Sequence, residues 1–249
     1  MKRDLIEEGL PVHIIRRGAR GIPFNKDDSD RWRNLQGLYF LNDVSCKNNW
    51  MRDVEEKRFV DIGCQQQKKE HFFSWPKLWP ERKPLISLWA FTFSGNHDHI
   101  IASVKEEKGL SKFMQKWNIS TAKHFNDKYK EKGTVFQGPY VLRVIDSEDY
   151  LYWVIPYVMV KNTFEMHERG YDWAVNNFEE AWEWAIKYPF SSLGDYVGKR
   201  NSPIIDSSHI KELMGGLKEF KNLCEEMILN RKEMEKEKTE EMEYYSYET

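Results

Sequence analysis

Residues 85–104, LISLWAFTFSGNHDHIIASV, constrain this chain more than any other stretch. Residues 85–93 are a dense run of β-branched and aromatic side chains, of strand length and far too short to cross a bilayer. Ser94-Gly95-Asn96 makes a turn, and residues 97–104 make a second strand, so the pair reads as a β-hairpin. Helical and strand periods alternate around it. Residues 11–17 read as a first strand, with Arg16, Arg17 and Arg20 at the Gly-punctuated turn that ends it. Asp28, Ser29 or Asp30 is placed to cap a helix running to about residue 42, with Trp32, Leu35, Leu38 and Tyr39 on one face. Leu110, Phe113, Met114, Trp117, Ala122, Phe125 and Tyr129 recur at helical spacing over residues 110–130, ahead of Gly133. Residues 140–145 form another strand. Asp146 or Ser147 caps a helix through about residue 164, and residues 172–187 form one more before Pro189.

This order predicts an α+β fold, a ferredoxin-like or RRM-like antiparallel sheet with helices on one face. Residues 1–206 are expected to form one domain, interrupted at 46–84 by an irregular insertion that Pro76, Pro80 and Pro84 break and that has room for one short strand near 58–62. Residues 207–249 form an acidic helical tail. In it Ile210, Leu213, Leu217, Phe220, Cys224 and Met227 recur every three or four residues, Gly215-Gly216 interrupts the pattern, and residues 231–243 are almost all charge and expected to fray.

Hydrophobic residues make up 40% of the 249, enough to bury a core, and aromatics 14%. Residues 1–10 carry acids and lack the apolar stretch of a signal peptide. Three cysteines (Cys46, Cys64, Cys224) without a CxxC pair argue against a disulfide framework and against a structural zinc site, which points to a reducing, cytoplasmic setting. The net charge of −2 hides a near-neutral body and an acidic tail, a balance that neither supports nor excludes a nucleic-acid partner.

His97-Asp98-His99 is the most informative tripeptide. Residues two apart on a strand point to one face, so both imidazoles are able to reach a single divalent ion. Two surface histidines on a half-buried strand would look the same. On the helix that follows, Tyr150, Tyr152 and Tyr157 lie close together, and residue type does not choose among them.

Five landmarks in order carry a resemblance. They are Val12-His13-Ile14-Ile15-Arg16-Arg17-Gly18, the hairpin with Asn96-His97-Asp98-His99, the long helix followed by Phe136-Gln137-Gly138-Pro139-Tyr140, Tyr157-Val158-Met159-Val160-Lys161-Asn162, and Tyr188-Pro189-Phe190-Ser191-Ser192. Along most of its length the chain resembles the single-tyrosine HUH transposases, and within them the REP-associated tyrosine transposases. The resemblance implies that His97, His99 and an amide oxygen bind Mg²⁺ or Mn²⁺ and that Tyr157 attacks a phosphate of single-stranded DNA, beside a palindromic hairpin. A 5′-phosphotyrosine would form that a 3′-hydroxyl later reverses. It also implies a nucleoid-associated protein in a family whose members often act as dimers. A decayed single-strand nucleic-acid binding module on the same fold is the alternative.

Two positions depart from the family's pattern. Asp98 stands where a hydrophobic residue is usual, so it needs exposure or a partner such as Arg, Lys or a histidine ring. Lys161 stands four residues after Tyr157, where the family has an amide, and Asn162 comes fifth. Pro156 precedes the tyrosine, and a π-type bulge would bring Asn162 into register as the third ligand, leaving Lys161 to contact phosphate. Arg16, Arg17 and Arg20 are candidates for DNA contacts, as are Lys112 and Lys116 on the polar face of the long helix. Trp75 and Trp79 either stack on unpaired bases or pin the insertion to the core.

Overall fold

A computed structural model describes residues 7–46, 50, 51, 54, 73–106, 108–206 and 208–229. The strand expected near 58–62, Cys64 and the charged segment 231–243 lie outside them. Strand β1 (Pro11–Arg17), helix α1 (Asp28–Phe40), strands β2 (Ile86–Phe93) and β3 (His97–Val104), helix α2 (Gly109–Tyr129) and strand β4 (Val141–Val144) follow one another in the expected order. The strands form one sheet in the order β2-β3-β1-β4, with every neighbouring pair antiparallel. This is the ferredoxin-like β-α-β-β-α-β arrangement.

Strand alternation divides the core in two. Val12, Ile14, Ile100, Ala102 and Val104 face α1 and α2, where they pack with Leu35, Leu38, Phe113 and Trp117. A bulge at Trp89, between Leu88 and Ala90, lets β2 hold Ile86, Leu88, Phe91 and Phe93 on that face while Trp89 and Ala90 turn to the other. The two helices approach closely at Gly37, where a Cβ would come within 2.7 Å of the Trp117 ring. Trp75 and Trp79 pin the insertion. Trp75 stacks on Phe40 and meets Trp79 edge-on at 4.9 Å, and its indole donates to Pro80 O at 2.8 Å.

Helix α1 starts one residue earlier than the candidate caps suggested. Asp27 accepts from the backbone N–H of Asp30, and Asp30 reciprocates. Lys128 donates to both carboxylates, at 2.7 Å to Asp27 and 2.8 Å to Asp30, and Tyr129 donates to Asp30 at 2.7 Å. The ammonium of Lys128 holds Asp27 down to about 2. Burial is the largest single influence on Asp30 and pushes it up, but the bonds from His124, Lys128 and Tyr129 together outweigh it and leave it lowered. Groups whose folded value is depressed stabilise fully above the unfolded value of about 4 and lose that contribution as pH falls through the folded one. The melting temperature should therefore drop between pH 4 and pH 2. Asp30→Asn should flatten that drop while lowering stability at pH 7, both read by circular dichroism.

The opposite face of the sheet carries the remaining helices. Ser147 caps α3 (Glu148–Pro156), accepting from the N–H of Tyr150. A π turn (Tyr157–Lys161) and a last helical turn (Asn162–Phe164) continue it. The helix expected over 172–187 is broken at Asn177, whose backbone leaves helical angles at φ −128°, ψ 52° and whose side chain donates to Trp173 O. The two pieces are α4 (Tyr171–Asn176) and α5 (Phe178–Lys187), followed by the short α6 (Leu193–Tyr196). In the tail, α7 (Ser208–Met214) stops at Gly215, which takes φ +72°, and α8 (Leu217–Leu229) follows. Ile210, Met214, Phe220, Cys224 and Ile228 are buried in the same cluster as Val154, Ile155 and Trp182. The apolar stripe of the tail thus packs on the body. Among the described residues no helix is long and apolar enough to cross a membrane.

Candidate active site

His97 and His99 project from β3 on the face covered by α3. Their rings lie 5.0 Å apart at 83°. His97 Nδ1 is 2.8 Å from Asn96 Oδ1, an atom that only accepts, so Nδ1 carries the proton and Nε2 keeps its lone pair. His99 Nδ1 is 2.9 Å from Nε2 of His13, a third histidine two strand positions before Ile15 of β1. His13 Nδ1 in turn lies 3.1 Å from the Tyr150 hydroxyl on α3. Burial keeps all three rings neutral. It pulls His97 down to about 4, with Arg17 and Lys161 adding to the effect and Glu165 opposing it. It pulls His13 down to about 3 with help from Arg143, and His99 well below the usual range.

Tyr157 sits above this pair. Its ring meets His99 edge-on at 5.5 Å and stacks on Trp153 at 4.8 Å, one helical turn back. Of the three tyrosines on this helix, Tyr150 is tied to His13, while Tyr152 is more than a third exposed and donates to Leu213 O at 3.0 Å.

Asn162 follows Tyr157 by five residues. In a regular α-helix that spacing would carry it about 140° around the axis from the tyrosine. The chain instead makes a π turn, in which the N–H of Asn162 donates to Tyr157 O. Pro156, lacking an N–H, removes one rung just before it. The sheet and a downstream loop brace the turn. Thr92 Oγ1 donates to Val158 O at 2.5 Å, and Met159 O accepts from Thr163 Oγ1 at 2.6 Å and from Ser191 Oγ at 3.1 Å. Ser192 Oγ accepts from Phe91 N, and Arg200 donates to the carbonyls of Pro189 and Ser191. The sequence Tyr188-Pro189-Phe190-Ser191-Ser192 thus serves as a clamp between β2 and the π turn. Asn162 is fully buried, and among the described residues neither atom of its side-chain amide has a hydrogen-bond partner. Such an orphan costs about 1–3 kcal/mol, which a ligand for its oxygen would offset.

These observations fit a divalent cation. His97 offers an Nε2 lone pair beside the second neutral imidazole of His99, and a buried amide one π turn from Tyr157 lacks a partner among the described residues. Among the described residues no group of three or more His, Cys, Asp or Glu is placed to hold a metal, and an amide oxygen such as that of Asn162 is of the neutral type that Mg²⁺ and Mn²⁺ accept.

The basic residues divide. Arg16 was expected near DNA, and its burial corrects this. It is 1% exposed and faces α1 and α2, across the sheet from the histidines. Its guanidinium donates to Asp98 at 2.5 and 3.1 Å, to Thr121 and to Asn34, and lies 3.4 Å from the centre of the Trp117 ring. Asp98 is held there too and also accepts from Asn25 at 2.8 Å. That pairing answers the question the carboxylate posed, and it places Asp98 on the face opposite His97 and His99. Arg17, by strand alternation, lies on the histidine side, is exposed, and pairs in register with His97. Arg20 is exposed in the turn beyond, at φ +56°. Lys161 reaches Glu165 at 2.7 Å and lies 5.0 Å from the Tyr157 ring. Lys112 and Lys116 are on α2, in the layer across the sheet, bound to Glu106 and to Asp43 O. The structure therefore groups Arg17 and Lys161 with the histidines and leaves Arg16, Lys112 and Lys116 elsewhere. His13, Thr92 and Tyr150 were missed from the sequence, since nothing in a strand's alternation or a helix's period marks a buried His or Tyr as a partner of a distant ring.

No family model matches the chain, and no curated protein does. Among solved structures it is similar to one described as a REP-associated tyrosine transposase bound to a REP hairpin, at 14% identity and a TM-score of 0.39, covering 84% of this chain and 93% of that one.

Proposed function

We propose that this chain is a metal-dependent tyrosine endonuclease and strand transferase of the HUH transposase type, acting on single-stranded DNA beside a hairpin. The observation that carries the reading is the meeting of His99 and Tyr157 rings at 5.5 Å within one chain, beside a second neutral histidine. A divalent cation such as Mg²⁺ or Mn²⁺ at His97, His99 and Asn162 would supply Lewis acidity to a scissile phosphate. Trp153 holds the phenol of Tyr157 by stacking. The Tyr157 oxygen then bonds to phosphorus as the bond to the 3′ oxygen breaks, the phenol gives up its proton and a free 3′-hydroxyl departs. The phosphotyrosine conserves the bond energy, so a 3′-hydroxyl reverses the step without ATP. Arg17 and Lys161 flank the histidines and are placed to hold neighbouring phosphates.

The decayed-module alternative drew on Asp98 and on the displaced Asn162. Arg16 pairs with Asp98, and a π turn lies between Tyr157 and Asn162, which supports the active reading over the decayed one. The test is a labelled single-stranded oligonucleotide carrying a hairpin, incubated with Mn²⁺ and run on a denaturing gel. A covalent adduct should form, disappear with a chelator, and fall by more than about 10³-fold in Tyr157→Phe. Adduct that persists in either condition would overturn the reading.

A further inference from the structure

We propose that His13 is a positioning residue which, braced by Tyr150, holds His99 in the one tautomer able to ligate a metal and locks the nucleophile's helix to the metal strand. The inference rests on the proposed metal site and adds to it a buried link between three elements. Five rings close a circuit: His13 stacks on His99 at 5.2 Å, His99 meets Tyr157 at 5.5 Å, Tyr157 stacks on Trp153 at 4.8 Å, Trp153 stacks on Tyr150 at 6.1 Å, and Tyr150 returns to His13 by hydrogen bond. Strand β1 supplies one ring, β3 another, and α3 with its π turn the other three.

A neutral imidazole has one N–H and one lone pair, and the partner of one nitrogen decides which the other carries. His99 Nδ1 faces a ring nitrogen, Nε2 of His13 at 2.9 Å. Two proton arrangements satisfy the chain. In the first, His99 Nδ1–H donates to His13 Nε2 and His13 Nδ1–H donates to the Tyr150 oxygen, so His99 Nε2 keeps its lone pair. In the second, every proton runs the other way and His99 Nε2–H is blocked as a ligand. His97 already presents Nε2, because Asn96 fixes its Nδ1–H. Only the first arrangement gives both histidines the same free nitrogen. Metal-binding histidines generally depend on such a partner for orientation and tautomer.

The experiment uses the full chain. The ¹⁵N shifts of the His99 ring are measured without metal, and Mn²⁺ affinity is measured by electron paramagnetic resonance without DNA. The parent should show the Nδ1–H tautomer of His99. His13→Gln, whose carbonyl still accepts, should keep that tautomer and bind Mn²⁺ within about three-fold of the parent. His13→Leu should shift His99 toward Nε2–H and weaken Mn²⁺ by about 10- to 100-fold. Tyr150→Phe should fall between these. Circular dichroism melts report folding, and Gln rescue separates a hydrogen-bonding role from a space-filling one. Equal losses in Leu and Gln, or an Nε2–H tautomer in the parent, would overturn the inference. If the parent binds no Mn²⁺ yet shows the Nδ1–H tautomer that His13→Leu abolishes, the metal reading fails while the His13 link stands.

Discussion

Replacing Arg16 by methionine should destabilise the protein by about 3–5 kcal/mol, the effect of leaving one member of a buried ion pair without its partner. Urea denaturation at pH 7.5 would measure it. Asp98 would remain 1% exposed with only Asn25 still donating to its carboxylate. Burial already pushes Asp98 up to about 6, and Arg16 is the main influence holding it down. Without the guanidinium the folded value rises further. A group whose folded value lies above the unfolded one stabilises fully below the unfolded value and loses that contribution as pH rises through the folded one. The deficit of Arg16→Met should therefore be greatest at neutral and alkaline pH and shrink toward pH 5. Pairing it with Asp98→Leu should recover most of the loss, because apolar replacement of a whole buried pair is often neutral or better. An Arg16→Met protein as stable as its parent would mean that water reaches the pair.

The second large effect is expected in the tail. Phe220→Ala should cost about 3–5 kcal/mol, as for other fully buried aromatic rings. Its ring lies 4.3 Å from Tyr196 and 6.3 Å from Trp182, and no part of it is exposed. A chain ending at Asp206 would uncover Ile155, Trp182 and Tyr196 together, and is expected to be insoluble or to melt far below the parent. A tail that served only to regulate DNA access would give the opposite result, a truncated protein with an unchanged melting temperature.

Much of this architecture was legible in the residues because it depends on local periodicity. The 85–104 hairpin, the α2 pattern from Leu110 to Tyr129 and the Gly215-Gly216 break all describe short stretches whose neighbours are also neighbours in sequence. Asp98 shows where such reading stops. Its need for a partner was plain, but the choice of Arg16 depends on a strand register that brings residues 82 apart in sequence side by side. For the same reason Arg16 and Arg17 looked alike as adjacent bases, although a strand sends them to opposite faces. The break at Asn177 was hidden because α4 and α5 together preserve an apolar pattern that reads as one helix.

The π turn has a consequence for how such sites are recognised. A motif written as a count of residues measures length along the chain, whereas ligation depends on angle around a helix axis. One supernumerary residue, Lys161 or any of its neighbours in the turn, separates the two measures between Tyr157 and Asn162. If Asn162 is the ligand proposed above, a chain built this way would fail a search for the shorter spacing, and removing a single residue from 158–161 would convert the five-residue form into the four-residue one. Such a deletion should also disturb the bonds by which Thr92, Thr163 and Ser191 hold the carbonyls of Val158 and Met159.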